Sequence, residues 1–278
     1  MKFRIVSDSS SNVFSLPGVD YAHVPLKIIT AKTEYVDKPG LDIEKMVTEI
    51  KNTKSKSSTS CPNVEEWLAA FGGADRVFAV TITSKLSGSC AAATEAAAQY
   101  EAANPGARVF VIDSLSTGPE MRLIMEKIRE HLDFGHSFEH IKESIREYQQ
   151  HTKLLFCLES LTNLARNGRV NPAVAKIAGV LGIRVVGAAN EGVLKPLHKC
   201  RGEAKALDTI FSEMKARGFS GGKVSISHCF NPEAAESLKK KILSAFPKCR
   251  VRIEPCAALC SFYAERGGLI IGFEDALA

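Results

Sequence analysis

Four short stretches dense in side-chain hydroxyls are the part of this sequence best equipped for chemistry. They are Asp8-Ser9-Ser10-Ser11, Ser57-Ser58-Thr59-Ser60, Thr83-Ser84-Lys85-Leu86-Ser87-Gly88-Ser89 and Asp113-Ser114-Leu115-Ser116-Thr117-Gly118. Hydroxyls donate hydrogen bonds to an anion, and the free N–H groups of a helix that follows add a partial positive charge. Any one stretch is equally the composition of a helix cap or a tight turn. Their recurrence at equivalent places in the chain is what points to a small anionic head group.

Other chemistries have weaker support. No stretch carries GxGxxG or GxxxxGK[ST], so nucleotide binding and a self-contained kinase find no phosphate loop. Ser87 lacks the flanking glycines of a nucleophile elbow and has no histidine nearby in sequence; His23 and His228 could approach it in space, though each reads first as a core or surface histidine. A serine hydrolase or acyltransferase built on Ser87 stands as the alternative reading. Cys256 and Cys260 are the tightest cysteine pair, but no second pair completes a zinc set. Cys61, ahead of a helix start, is a thiol that the helix would favour as thiolate. Glu65-Glu66 reads as complement to a helix N-terminus rather than as an acid–base pair.

The elements that must position these residues alternate between strand and helix. Strands are predicted at Phe3–Val6, Val24–Ile29, Arg76–Ile82 and Arg108–Ile112 from short apolar, β-branched runs. Helices are predicted at Asp42–Lys51, after Asn63 (with Glu66 completing a capping box), at Ser87–Ala103, Glu120–Leu132 and Phe138–Gln149. Repeated strand–loop–helix units build a parallel sheet covered on both faces, whose ligands bind where loops leave the carboxyl ends of the strands.

After about residue 150 the pattern changes. Strands at Lys153–Leu158, Ile183–Ala188 and Val193–Leu197 surround helices at Ser160–Arg166 and Pro172–Leu181, and Asn190-Glu191-Gly192 signals a hairpin. A helix at Glu203–Arg217 leads into strand Lys223–Ser227, helix Pro232–Ser244, strand Arg250–Glu254 and a closing strand Leu269–Phe273. The expectation is two α/β domains, 1–150 with a parallel sheet and 151–278 with a mixed sheet. The small and apolar segments Ala91–Ala98, Leu154–Leu158, Val180–Val186 and Leu269–Ile271 could line a channel between them or form ordinary core.

Composition sets the outer bounds. At 278 residues, 45% hydrophobic and 24% charged, the chain has the make-up of a globular protein and not of a disordered or fibrous one. A dispersed net charge of +5 and 7% aromatics leave no footprint for nucleic acid. No run of 18 apolar residues offers an integral membrane segment, and the N-terminus has no apolar leader, so a cytoplasmic location with reduced cysteines is expected.

Several of these segments together resemble the DegV family of bacterial fatty-acid-binding proteins. The matching residues are Val6-Ser7-Asp8-Ser9, Thr59-Ser60-Cys61-Pro62-Asn63, Leu86-Ser87-Gly88-Ser89, Val111-Ile112-Asp113-Ser114 and Asn167-Gly168-Arg169-Val170. Further on come Gly192-Val193-Leu194-Lys195-Pro196, Lys199-Cys200-Arg201 and Gly267-Gly268-Leu269-Ile270-Ile271-Gly272-Phe273. The resemblance runs in order over essentially the whole chain. It implies a long-chain fatty acid buried between two α/β domains, with its carboxylate on Thr59 and Ser87. Ser60, Gly88, Ser89 and Ser114, in the same hydroxyl-rich stretches, join them as head-group candidates. It implies a carrier with no catalytic residue and no cofactor, serving an ATP-dependent fatty acid kinase subunit, with Arg201 at the contact with that partner. Many members have a histidine near the C-terminus at the head group; Tyr263 stands in about that place here.

Overall fold

In a computed structural model of the chain, residues 1–53, 55–173 and 182–276 are described. Most of the predicted helix Pro172–Leu181, and part of the apolar segment Val180–Val186, lie outside them. The first half begins with β1 (Phe3–Asp8), a 3₁₀ turn at Ser9–Ser11, β2 (Tyr21–Val24), β3 (Lys27–Ile29), β4 (Glu34–Val36), α1 (Ile43–Asn52) and β5 (Ser58–Ser60). It continues with α2 (Val64–Phe71), β6 (Arg76–Thr81), α3 (Ser89–Ala103), β7 (Arg108–Asp113), α4 (Pro119–Asp133) and α5 (Phe138–Tyr148). The second half holds β8 (Thr152–Leu158), α6 (Thr162–Arg166), β9 (Ile183–Asn190), β10 (Val193–Arg201), α7 (Glu203–Ala216) and β11 (Lys223–His228). It closes with α8 (Pro232–Ala245), β12 (Arg250–Pro255), α9 (Ala258–Ala264) and β13 (Leu269–Glu274).

β2-β1-β6-β7 form a wholly parallel sheet. Strand alternation sorts its side chains between two cores. Ile5, Phe78 and Val80 face Met121, Ile124, Ile128 and Ile141 of α4 and α5. Val6, Val77 and Ala79 face Trp67, Phe71, Ala93 and Ala96 of α2 and α3. The α2 start is fixed as the sequence suggests: Asn63 Oδ1 accepts from Glu66 N at 2.8 Å, and Glu66 Oε2 accepts from Asn63 N at 2.8 Å.

The single strand expected over Val24–Ile29 is instead two. Pro25 offers no N–H to a ladder. β2 ends at Val24 in the parallel sheet, and β3 pairs antiparallel with β4 and β5 in a separate three-stranded sheet. That ribbon places Thr59 opposite Ile28, so the second hydroxyl stretch is strand rather than loop.

The second half contains the mixed six-stranded sheet β10-β9-β8-β13-β11-β12, antiparallel except for β11–β12. The predicted hairpin is present. Glu191 and Gly192 both take positive φ, 50° and 82°, as a two-residue turn matching the strand twist requires. One sheet face, with Leu155, Cys157, Leu269, Ile271 and Phe273, is covered by Ile210 and Met214 of α7 and Leu238 and Ile242 of α8. The opposite face carries Leu154, Phe156, Leu158 and Ile270 and turns toward the first half.

Two helices bridge the halves. The N-terminal turns of α4 are buried continuously from Pro119 to Met125. A Cβ on Gly272 of β13 would lie 2.6 Å from Glu120 N, so only glycine admits this approach. α9 follows β12 in sequence yet is tied to residues near the start of the chain. Asp37 accepts from Ala258 N and Leu259 N at 2.9 and 3.0 Å, and Asn12 Oδ1 accepts from Ala257 N at 2.8 Å. Asn12 Nδ2 also donates to Ser227 Oγ at 3.2 Å. Ala258 and Phe262 pack on Ile28, Tyr35 and Met46, while Cys260 and Ala264 pack on the second sheet.

Candidate functional site

Where the face of β8 and β13 meets the hydroxyl-bearing segments of the first half, the chain forms a cavity of about 260 Å³ that is partly open to solvent. Its walls are apolar: Leu154, Phe156, Leu158 and Ile270 from the second sheet, Leu26 and Ile82 from the first half, and Leu259 from α9. Phe156 owes its position to Gly187 on the neighbouring strand, where a Cβ would fall 2.2 Å from the ring. The polar lining is a compact set: Thr59, Ser60, Ser87, Gly88, Thr117, Arg169 and Tyr263.

Thr59 Oγ1 and the Tyr263 hydroxyl lie 2.8 Å apart and share one hydrogen bond. Burial pushes the Tyr263 phenol above its ordinary pKa, with the Thr59 bond and the Arg169 charge acting against it, so it is an un-ionised donor near neutrality. Ser87 Oγ accepts from Ser89 N at 3.3 Å, which leaves its own proton free to donate. Gly88 fits tightly, since a Cβ there would stand 3.2 Å from Cys61 Sγ. Cys260 also lines the cavity; burial pushes its thiol up to about 12, and it donates to Ser10 O at 3.3 Å. It acts as apolar wall.

Two of the expected head-group serines stand elsewhere. Ser89 is fully buried and donates to Asp8 Oδ2 at 2.7 Å. Asp8 also accepts from Ile82 N at 2.9 Å and from Ser10, and burial pushes its carboxyl pKa up against those bonds. Ser114 closes a turn, donating to Ser116 O and accepting from Ser116 N, both at 3.1 Å. In that fourth stretch it is Thr117 that reaches the cavity. The Asp8–Ser11 stretch is scaffold as well: Ser9 Oγ accepts from Leu26 N at 3.0 Å. Arg201 is exposed at the end of β10, apart from the cavity lining.

Arg169 is the polar residue to which the sequence reading gave no role. Its Nε donates to Leu86 O at 3.1 Å, and another of its nitrogens donates to Asn167 O. Asn167 Nδ2 donates to Ser57 O at 3.2 Å. Asn167-Gly168-Arg169 therefore fastens the second half to both hydroxyl stretches, and it sets a guanidinium at the cavity. Among the described residues no carboxylate lies within ion-pair distance of that guanidinium. An anionic group on a guest would meet both hydroxyl donors and an uncompensated cation.

No histidine lines the cavity among the described residues, so Ser87 has no base within it. His23 packs its ring against Phe14, and His228 Nδ1 accepts from Asn231 N at 3.3 Å. The hydrolase reading of Ser87 is not supported.

A family profile described as DegV, a family of uncharacterised proteins, matches residues 2–275. The chain belongs to the DegV family. It is 39% identical over 279 residues to a DegV domain-containing protein of Streptococcus pneumoniae, covering 99% of each chain. Its fold is similar to a DegV family protein from Eubacterium eligens loaded with heptadecanoic acid, at TM-score 0.97 and 41% identity, over 98% of this chain and 99% of that one. It is also similar to the Streptococcus pneumoniae Fatty Acid Kinase (Fak) B3 protein loaded with linoleic acid, at TM-score 0.96 and 38% identity, over 99% of each. The α/β architecture, parallel sheet followed by mixed sheet, is that of these DegV structures. Among the described residues no helix is long and apolar enough to cross a membrane.

Proposed function

We propose that this DegV protein binds a long-chain fatty acid, its tail in the apolar cavity and its carboxylate among Thr59, Ser87, Tyr263 and Arg169. The observation that carries this reading is the pairing of a wall of Leu, Ile and Phe side chains with one compact set of hydroxyl donors and a guanidinium that, among the described residues, has no carboxylate partner. Burying about 14 methylenes at about 0.8 kcal/mol each yields roughly 11 kcal/mol, against several kcal/mol lost on association. The tail supplies affinity; the polar set supplies orientation. Ser60, Gly88 and Thr117 complete the lining around the carboxylate. Ser89 and Ser114 support their loops from beneath.

The protein acts as a carrier and not as an enzyme. It presents the carboxylate to an ATP-dependent fatty acid kinase subunit, for which the likeness to Fak B3 is the support. The exposed Arg201 belongs to the surface that meets this partner. The acid is the only small molecule required, and the cytoplasm, where ATP and a kinase are available, is the site of action. Residues 1–150 and 151–278 serve as the two domains, the first carrying the head-group hydroxyls and the second covering the tail.

The test is to denature the purified protein and identify released lipid by mass spectrometry, then titrate delipidated protein with a C16 or C18 acid. Co-purified acid and one site per chain are expected. No released acid together with no uptake would overturn the proposal.

A further inference from the structure

Away from the cavity, three histidines converge at the turn between α4 and α5. His131 lies in the last turn of α4, His136 in the connecting loop and His140 in the first turn of α5. One ring nitrogen from each falls within 4.8 Å of the other two. His131 Nδ1 and His136 Nδ1 are 2.8 Å apart, and the His136 and His140 ring centroids are 4.4 Å apart. The hydrogen bond between His131 and His136 explains two of the rings. It does not explain the third, exposed ring turned onto the same point.

We propose that His131, His136 and His140 form a binding site for one divalent transition-metal ion of the zinc class. Imidazole is the ligand type that zinc, nickel and copper(II) prefer, and three imidazoles leave a fourth position for water. Metal–nitrogen bonds of about 2.0–2.1 Å in a tetrahedral site set the ligand nitrogens roughly 3.3 Å apart. The His131–His136 pair sits just inside that spacing, and rotation of the exposed His140 ring closes the longer edges.

Ser144 supplies the outer support that metal-bound histidines commonly have. Its Oγ lies 2.7 Å from His131 Nε2. With Nε2–H donating to Ser144, Nδ1 keeps its lone pair directed at the other two rings. The carboxyl end of the α4 dipole favours a cation here, and the Lys127 ammonium opposes it. Bound metal would pin α4 to α5 at the end of α4 remote from Thr117 and the cavity, about 20 Å along a 15-residue helix.

The experiment is calorimetric titration of the full-length protein with zinc chloride, repeated with magnesium and calcium chlorides. One zinc per chain, with neither magnesium nor calcium bound, is expected. His140→Gln and His136→Gln each remove a ligand and should weaken zinc binding more than the roughly 10–100-fold that loss of an outer partner costs. Ser144→Ala should cost within that range. Far-ultraviolet circular dichroism checks that each variant is folded, and fatty acid uptake by His140→Gln should match the parent. Cobalt(II) substitution separates imidazole from thiolate, because a sulfur-to-metal charge-transfer band would place the ion on cysteine. Such a band, zinc affinity unchanged in both histidine variants, or no zinc binding by the parent would each overturn the proposal.

Discussion

The phenol oxygen of Tyr263 stands 2.8 Å from Thr59 Oγ1, joining two groups 204 positions apart in the chain. One comes from the three-stranded ribbon and the other from α9. Each hydroxyl has a lone pair and a proton, so a guest carboxylate can accept from both once their mutual bond reorganises. Tyr263→Phe and Thr59→Ala should each weaken fatty acid binding by about 1.5–3 kcal/mol, the usual worth of a hydrogen bond to a charged group. The double variant should lose less than the sum, because the two groups touch. Displacement of a fluorescent fatty acid measures all three; unchanged affinity in both single variants would move the head group elsewhere.

Ser87 and Ser89 are expected to separate function from stability. Ser87→Ala should weaken acid binding by about 1.5–3 kcal/mol while leaving the urea midpoint near that of the parent. Ser89→Ala removes a donor from the buried Asp8, so it should lower unfolding stability by about 1–3 kcal/mol with a smaller effect on binding. Parallel urea curves and binding isotherms would expose a reversed pattern.

Asp37 should give the protein a pH-dependent stability. Burial pushes its carboxyl from 3.8 up to about 6, against the bonds from Leu259 N and Ala258 N. Folding then takes up a proton between these values. This contribution is complete below pH 3.8 and is lost as pH rises through about 6. A shift of this size corresponds to about 3 kcal/mol. Asp37→Asn, neutral throughout, should flatten the fall in stability across this window relative to the parent. The buried carboxyls of Asp8 and Glu120 are pushed in the same direction and both remain in the variant, so the difference reads Asp37 together with its charge interaction with Asp8. Parallel pH curves for the two proteins would refute the assignment.

Gly187→Ala should shrink the cavity. The new methyl would meet Lys195 O at 2.6 Å and the Phe156 ring at 2.2 Å, so the ring must swing into the space or the strands must part. Overpacking of this kind costs about 1–3 kcal/mol of stability. Affinity for C18 acids should fall more than affinity for shorter ones, as read by a chain-length series.

The parts of this fold legible in the sequence are those where a local pattern decides. The β-branched apolar run along Arg76–Thr81, the Asn63–Glu66 box and the Glu191-Gly192 turn each encode their own conformation. Ala257–Ala264 was not legible, because a segment with almost no polar face has no period to read. The ribbon strands are three residues each, too short to alternate visibly. At the cavity, hydroxyl content marked stretches that reach the lining but did not separate lining residues from those beneath them. Ser89 and Ser114 have the same chemistry as Ser87, and only burial against Asp8 and Ser116 sets them apart. Arg169 owes its importance to Leu86, 83 positions earlier, which no local pattern reports.

The anchoring of α9 by Asp37 and Asn12 has a consequence for how a guest gets in. Cross-ties of this kind stitch the two halves together at the very helix that bears Tyr263, so they could swing apart like a clam only by giving up the bonds from Ala257 N, Ala258 N and Leu259 N. For the proposed carrier, a tail threaded in lengthwise would leave that seam shut, whereas hinged opening would undo it.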